Sequence, residues 1–205
     1  MLRPITISFA FASLLACNTS TAAPDASVTP DGGGSAPSCT AYCTASLANC
    51  ASMEPQYSDM ASCLGTCAGL TPGTTGDVSG NTLACRVYHT NAAASMPGME
   101  HCLHGGPAGY AVCGTSQCEA FCQIAAHSCT GANQQWASTA ACMTDCATYA
   151  GSTPDMPAGA PDYSATQTSG DTFACRMYHL TVASSSAALA TVHCPHVARV
   201  SSACN

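Results

Sequence analysis

Cysteine spacing constrains this chain more than any other feature, because 16 of its 17 cysteines form two blocks with matching gaps. In each block the first five cysteines are separated by three, six, twelve and three residues. The repeated gaps indicate a tandem duplication. Eight cysteines per block is an even number, which predicts a closed disulfide set in an oxidising compartment. We therefore predict two cysteine-rich modules, residues 39–113 and 118–204.

The N-terminal segment has the pattern of an export signal. Arg3 precedes an apolar run from Ile5 to Ala16 that is too short to span a bilayer. The run ends in Leu14-Leu15-Ala16-Cys17, which resembles the lipobox of bacterial lipoproteins. The resemblance implies a signal peptide over residues 1–16 and a lipid attached to Cys17, which would be the membrane anchor. An ordinary secretory signal, cleaved after Ala23, is the alternative.

The resemblance also indicates the cellular location of the protein. Asn18 replaces the aspartate that typically retains such lipoproteins at the inner membrane, so we expect the outer membrane. Residues 18–38 are rich in Pro, Gly, Ser and Thr, a composition that does not fold. Residues 17–38 are therefore interpreted as the lipidated cysteine and a flexible linker.

Charge excludes one class of partner. The chain has no lysine, and the predicted mature chain has three arginines against eleven carboxylates, a net charge of −8 from 3 − 11. Binding to nucleic acid requires a basic surface that neutralises phosphates, so we predict no nucleic-acid partner. A protein partner is not indicated by any motif.

The cysteine spacing also predicts helices. Cysteines four positions apart lie on one helix face, one turn from each other. Cys39 and Cys43 begin a first helix with Ser38 as its N-cap, and a second is predicted from about Tyr57 to Ala68. After a glycine-rich loop, Asn81 and Asp171 occupy N-cap positions of a third helix. The prediction is an all-α fold of two modules with about three helices each, and with the last cysteines on irregular segments.

Two Cys-x3-Cys helices in tandem resemble the α-hairpinins, in which paired disulfides join antiparallel helices. That resemblance implies Cys39–Cys67 and Cys43–Cys63 in the first module. In the second it implies Cys118–Cys146 and Cys122–Cys142. The pairing of the other cysteines stays open.

Comparison of the two copies reveals which residues both have kept. Over the first two helices, only four of the 27 non-cysteine pairs are identical. In contrast, residues 80–89 and 170–179 are identical at seven of ten positions, and the pattern His-Cys-x-His recurs further on. Six of the seven histidines occupy equivalent positions: His89, His101 and His104 in one copy, and His179, His193 and His196 in the other. His127 has no counterpart and is predicted to be a surface residue.

Three imidazoles on disulfide-braced backbone predict a tri-histidine metal site in each module. That ligand set suits zinc or copper, with a fourth position for water, an external ligand or a nearby sulfur. Equivalent side chains next to the histidines are candidates for a supporting shell: Arg86, Tyr88, Arg176 and Tyr178. Met96 and Met99 would add soft ligands for Cu(I), in the first copy alone.

Other interpretations stay open at this level. The histidines of a durable envelope module can serve packing, and the arginines can pair with carboxylates. A non-covalent haem or redox carrier is a further alternative, although the Cys-x-x-Cys-His attachment motif is absent. Catalysis has less support, because neither a nucleophile elbow nor a repeated carboxylate pair occurs. The leading hypothesis is a lipid-anchored, extracytoplasmic protein that sequesters or delivers copper or zinc.

Overall fold

Helices form all the regular secondary structure of this computed structural model apart from isolated bridges, within the residues that it describes: 36–52, 55–96, 99–153 and 162–205. Four α-helices belong to each module. In the first they are α1 (Cys39–Asn49), α2 (Met60–Ala68), α3 (Leu83–Ser95) and α4 (Met99–Gly105). In the second they are α5 (Gln117–Ser128), α6 (Thr139–Cys146), α7 (Phe173–Ala183) and α8 (Ala187–Val197). The predicted all-α fold is confirmed.

Each module has one helix more than the expected three. The additional helices, α4 and α8, contain the His-Cys-x-His segments that were expected to be irregular, so Cys102 and Cys194 are helical. Cys113 and Cys204 do lie on irregular segments. In the described part of the chain, no helix has the length and apolar character needed to cross a bilayer.

Each α-helix whose N-cap the structure describes begins where a side chain accepts a hydrogen bond from the backbone of the first turn. This is not always the first residue of a capping type in the sequence. Ser38 caps α1 as predicted, but α2 begins at Met60, because Asp59 and Ser62 form a reciprocal capping box there. The predicted caps of the third helices, Asn81 and Asp171, were wrong by one residue. The hydroxyls of Thr82 and Thr172 accept from the backbone at N3 instead.

Eight disulfides join the sixteen described cysteines, four in each module. Cys39–Cys67 and Cys43–Cys63 link α1 to α2, and Cys118–Cys146 and Cys122–Cys142 link α5 to α6. These are the pairs that the α-hairpinin resemblance implies. The remaining bonds have the same order in both copies: Cys50–Cys102, Cys85–Cys113, Cys129–Cys194 and Cys175–Cys204. Such a density of disulfides indicates an oxidising, extracytoplasmic compartment.

The two modules share one hydrophobic core. A single cluster of buried side chains includes Tyr42 and Tyr57 of the first module with Phe121 and Phe173 of the second. The modules also contact through backbone, since Gly65 on α2 lies against the backbone of Ser184. The chain therefore folds its two copies as one body, in which α3–α4 and α7–α8 form equivalent helix pairs.

Candidate metal centre

Each helix pair brings three histidines together. His89 is on α3, one turn after Cys85, and His101 and His104 are on α4, three residues apart. We call these three residues the first histidine cluster. The second histidine cluster consists of His179 on α7 with His193 and His196 on α8. In each cluster one ring nitrogen per histidine lies within 4.8 Å of the others. The structure thus brings together all six predicted histidines, three by three.

Disulfides hold the backbone under both clusters. Cys102 lies between the two histidines of α4 and is bonded to Cys50 at the end of α1. Cys85 lies one turn before His89 and is bonded to Cys113. Crosslinked helices limit how far the imidazoles can move apart, so each cluster is preorganised.

A backbone carbonyl fixes the proton on the central histidine of each cluster. His89 Nε2 lies 3.1 Å from the carbonyl oxygen of Val78, and His179 Nε2 lies 3.2 Å from that of Thr168. Because a carbonyl can only accept, Nε2 must carry the proton and donate it. In the neutral ring Nδ1 then has a free lone pair. Metal-binding histidines have this arrangement, with one ring N–H held by a carbonyl.

The freed lone pair of each central histidine faces the Nδ1 atom of a neighbouring histidine. Nδ1 of His89 lies 3.1 Å from Nδ1 of His101. Nδ1 of His179 lies 2.8 Å from Nδ1 of His193 and 3.3 Å from Nδ1 of His196. One lone pair accepts one proton well, so His179 cannot satisfy both neighbours by hydrogen bonding. A single cation shared by three lone pairs would satisfy all of them.

The first cluster also has a ring nitrogen whose hydrogen bonding is not satisfied. Nδ1 of His104 is buried and has no hydrogen-bond partner among the residues that the structure describes. Leaving a buried polar atom unpaired costs about 1–3 kcal/mol, and such atoms are uncommon in native proteins. The chemistry of this orphaned atom fits a metal ligand.

The nitrogen separations match a tetrahedral ligand set. With Zn–N bonds of about 2.0–2.1 Å and tetrahedral angles, neighbouring ligand nitrogens are about 3.3 Å apart. The separations of 2.8, 3.1 and 3.3 Å are close to this value. Three ligands of this kind leave the fourth tetrahedral position for water or an external ligand.

Burial favours the neutral form of four of these imidazoles. Burial, followed by the charges of the neighbouring His196 and His193, lowers the pKa of His179 from 6.5 to about 4. Burial is also the main cause that lowers the pKa of His89, His104 and His193. Neutral imidazole is the form that binds metal, so the lowered pKa of these four histidines favours metal binding at neutral pH.

The predicted supporting residues have two different positions. Tyr88 and Tyr178 lie edge-on against His89 and His179, with ring centroids 5.1 Å apart in both modules. Arg86 and Arg176 are completely buried and direct their hydrogen bonds to backbone carbonyls and to the side chains of Asn81 or Asp171. The tyrosines therefore contact the clusters, whereas the arginines position the backbone around them.

Arg86 links the third helix to the segment that follows α4. Its Nε donates to the carbonyl of Gly106 at 3.1 Å, and Nη2 donates to that of Pro107 at 3.3 Å. Arg176 similarly donates to Ala198 at 3.3 Å and Arg199 at 3.2 Å, after α8. Arg176 also forms an ion pair of 2.7 Å with Asp171. The sequence allowed such a pair but did not identify the carboxylate.

Sulfur ligands are placed less favourably. Sγ atoms of Cys85 and Cys113 lie within 4.8 Å of a His89 nitrogen, but both are in a disulfide and supply no thiolate. Met96 is exposed, and the side chain of Met99 lies outside the described part of the chain, as does Cys17. His127 is exposed, as predicted.

Sequence reasoning missed the two carbonyls that orient the central histidines. The identity of a residue does not show where its carbonyl points, but the sequence did contain one indication. Val78 and Thr168 each lie two residues before a glycine kept in both copies, Gly80 and Gly170, whose φ angles are 90° and 94°. Glycine is favoured in this left-handed region, and its turn brings the carbonyl to the histidine.

Comparison with known proteins identifies both modules. The BfoA family C-terminal domain matches residues 35–117 and again residues 112–202. The chain belongs to the BfoA family. The two BfoA domains correspond to the two cysteine-rich modules, and each contains one complete histidine cluster. No curated protein and no solved structure matches the chain.

Proposed function

We propose that each BfoA domain binds one zinc or copper ion through its histidine cluster, and that the protein sequesters or delivers the metal outside the cytoplasm. The observation that carries the proposal is the convergence of Nδ1 atoms around the central histidine of each cluster, whose own ring is oriented by a carbonyl at Nε2. Packing alone would not require a central nitrogen with two nitrogen neighbours and one lone pair.

Metal fits the geometry better than haem. Axial haem ligands approach the iron from opposite faces of a porphyrin. Nδ1 atoms separated by 2.8–3.3 Å leave no room for a porphyrin plane between them. Three nitrogens on one side of a small ion suit zinc or copper, for which imidazole is a favoured ligand.

An open fourth position favours exchange of metal over permanent structural storage. Structural zinc sites are closed by four protein ligands, whereas sites with three keep a place for an external ligand. His101, His104, His193 and His196 are only partly buried. An incoming ligand can therefore reach the ion and take it, as delivery requires.

The proposed location is the cell envelope, with lipid on Cys17 as the anchor. The lipobox-like sequence Leu14-Leu15-Ala16-Cys17 supports the anchor, and Asn18 supports the outer membrane. The linker over residues 18–38 would hold the paired BfoA domains near the membrane surface. Labelling with a radioactive fatty acid should mark the exported chain and fail to mark Cys17→Ala.

Metal content tests the proposed function directly. The exported full chain, with disulfides verified by mass, should contain or take up two zinc or copper ions. His89→Ala should reduce this to one, and His89→Ala with His179→Ala to none. His127→Ala is the matched control and should retain two. A folded, fully oxidised chain that binds neither ion would overturn the proposal, and would leave the packing role of the histidines.

A further inference from the structure

The two histidine clusters differ in charge at one equivalent position. The residue before the first histidine of the fourth helix is Glu100 in the first BfoA domain and Val192 in the second. The histidines themselves, the cysteine between them and its disulfide to the first helix are the same in both. Glu100 and Val192 therefore give the two otherwise equivalent sites different charges.

Glu100 lies on the face of α4 that carries His104. Residues four apart on a helix are neighbours one turn away from each other, and α4 includes both Glu100 and His104. Burial lowers the pKa of His104 most, while the negative charge of Glu100 acts in the opposite direction. Glu100 is exposed and lies one helical turn from His104, so its charge acts at the cluster with some screening by solvent.

Among the residues that the structure describes, nothing comparable acts at the second cluster. Helices α7 and α8 contain no acidic residue, and the side chain of Val192 is 56% exposed. Burial and the neighbouring imidazoles lower the pKa of His179 and His193, and no carboxylate opposes them. Asp171, the nearest acid in the sequence, is engaged by Arg176 at 2.7 Å.

This difference selects between ions of different charge. Three neutral imidazoles leave the full charge of the ion unbalanced, and the Coulomb attraction of one carboxylate is twice as large for a divalent as for a monovalent ion. Carboxylate oxygen is moreover a ligand for hard ions, whereas soft Cu(I) gains less from it. A carboxylate at one cluster should therefore change the ratio of the two affinities.

We propose that the two sites are specialised: Glu100 biases the first histidine cluster toward a divalent ion such as Zn²⁺, and the second, whose helices α7 and α8 carry no carboxylate, favours Cu⁺. This inference rests on the proposed function, because it assigns an ion class to each of the proposed sites. One chain would then hold two metal ions of different charge.

Single-site chains test the specialisation. His179→Ala with His193→Ala leaves the first cluster, and His89→Ala with His101→Ala leaves the second. Each chain is titrated with Zn²⁺, and separately with an acetonitrile complex of Cu⁺ under nitrogen, in competition with a chromophoric chelator. We expect the ratio of Zn²⁺ to Cu⁺ affinity to be higher at the first cluster.

Substitutions at the differing position should transfer the preference. Glu100→Gln in the first single-site chain should lower Zn²⁺ affinity by about tenfold and Cu⁺ affinity by about threefold, since attraction to one charge is half that to two. Val192→Glu in the second should raise Zn²⁺ affinity by about tenfold. Val192→Gln is the neutral control and should leave the ratio unchanged.

The outcomes separate the two claims. Equal affinity ratios in the single-site chains, or ratios that do not respond to Glu100→Gln and Val192→Glu, would overturn the specialisation while two bound ions still support the proposed function. If neither single-site chain binds Zn²⁺ or Cu⁺ although it is folded and oxidised, both proposals are wrong.

Discussion

Nδ1 of His179 and Nδ1 of His193 lie 2.8 Å apart in the second BfoA domain, on two different helices. His89 and His101 have the same contact at 3.1 Å in the first. Two nitrogens this close cannot both be protonated without repulsion, so the fold keeps at least one ring of each pair neutral. This relationship links stability, pH and metal binding.

Metal-free protein should lose stability as the pH falls from about 6.5 to 4. The pKa of His179 is lowered in the folded state from 6.5 to about 4, so in this range the unfolded chain binds a proton that the folded chain does not. Stability therefore decreases as pH falls. Melting temperatures in EDTA at several pH values would measure the slope.

His179→Gln should flatten that slope, because the substituted side chain does not titrate. His127→Gln removes an exposed histidine instead and should keep the slope of the original chain. A His179→Gln chain with an unchanged slope would show that other groups control acid stability.

Removing the disulfide Cys50–Cys102 should weaken the first metal site as well as the fold. Cys102 lies between His101 and His104, so replacing both cysteines by serine frees α4 from α1. Loss of a native disulfide typically costs about 2–5 kcal/mol. Urea unfolding without reductant, together with Zn²⁺ titration, would measure both effects.

The comparison variant replaces Cys39 and Cys67, whose disulfide joins α1 to α2, neither of which carries a cluster histidine. It should lower the free energy of unfolding but retain the Zn²⁺ affinity of the first site. Equal loss of affinity in both double variants would mean that the site depends on overall stability rather than on the local crosslink.

Arg86→Met should be strongly destabilising, although it makes a buried position more apolar. The guanidinium donates to Thr82, Asn81, Gly106 and Pro107, and its removal leaves buried carbonyls without donors. Each buried acceptor that is left without a donor costs about 1–3 kcal/mol. Arg86→Lys should recover part of this, because lysine restores the charge but not the planar fork.

Arg199→Met is the control for charge, since Arg199 is exposed. Substitutions of that kind usually change stability by about 0.5 kcal/mol or less. Chemical unfolding of the three variants would rank them, and a loss for Arg86→Met as small as that for Arg199→Met would contradict the positioning role of Arg86.

Gly65→Ala should destabilise the contact between the two BfoA domains. Helix propensity alone favours alanine by about 1 kcal/mol, but a Cβ at Gly65 would lie 1.9 Å from the carbonyl oxygen of Ser184. Because that atom is backbone, α2 and α7 must move apart, and overpacking of this kind costs about 1–3 kcal/mol. The clash should therefore exceed the propensity gain, and the melting temperature should fall.

Ala61→Ser tests the same helix at an exposed position and should have little effect. An increase in melting temperature for Gly65→Ala would mean that the gain in helix propensity exceeds the cost of the clash. The contact between the domains would then adjust to the added methyl group at little cost.

Several features could be predicted from the sequence because they are local or repeated. Cys-x3-Cys spacing predicts helices, since the 3.6-residue period places both sulfurs on one face. The alignment of the two copies singled out the six histidines before any geometry was known. The exact helix start was missed at Asn81, because the sequence does not show that its side chain is engaged by Arg86.

The amino-acid sequence by itself determined the repeated all-α modules and the residues that could form a metal site, because cysteine register and residue identity are carried along the chain. Only the tertiary structure decided that His89 meets His101 across two helices, that the carbonyls of Val78 and Thr168 orient the central rings, and that both domains share one core. These features depend on backbone atoms and on contacts between distant segments, which become defined when burial and disulfides bring the helices together.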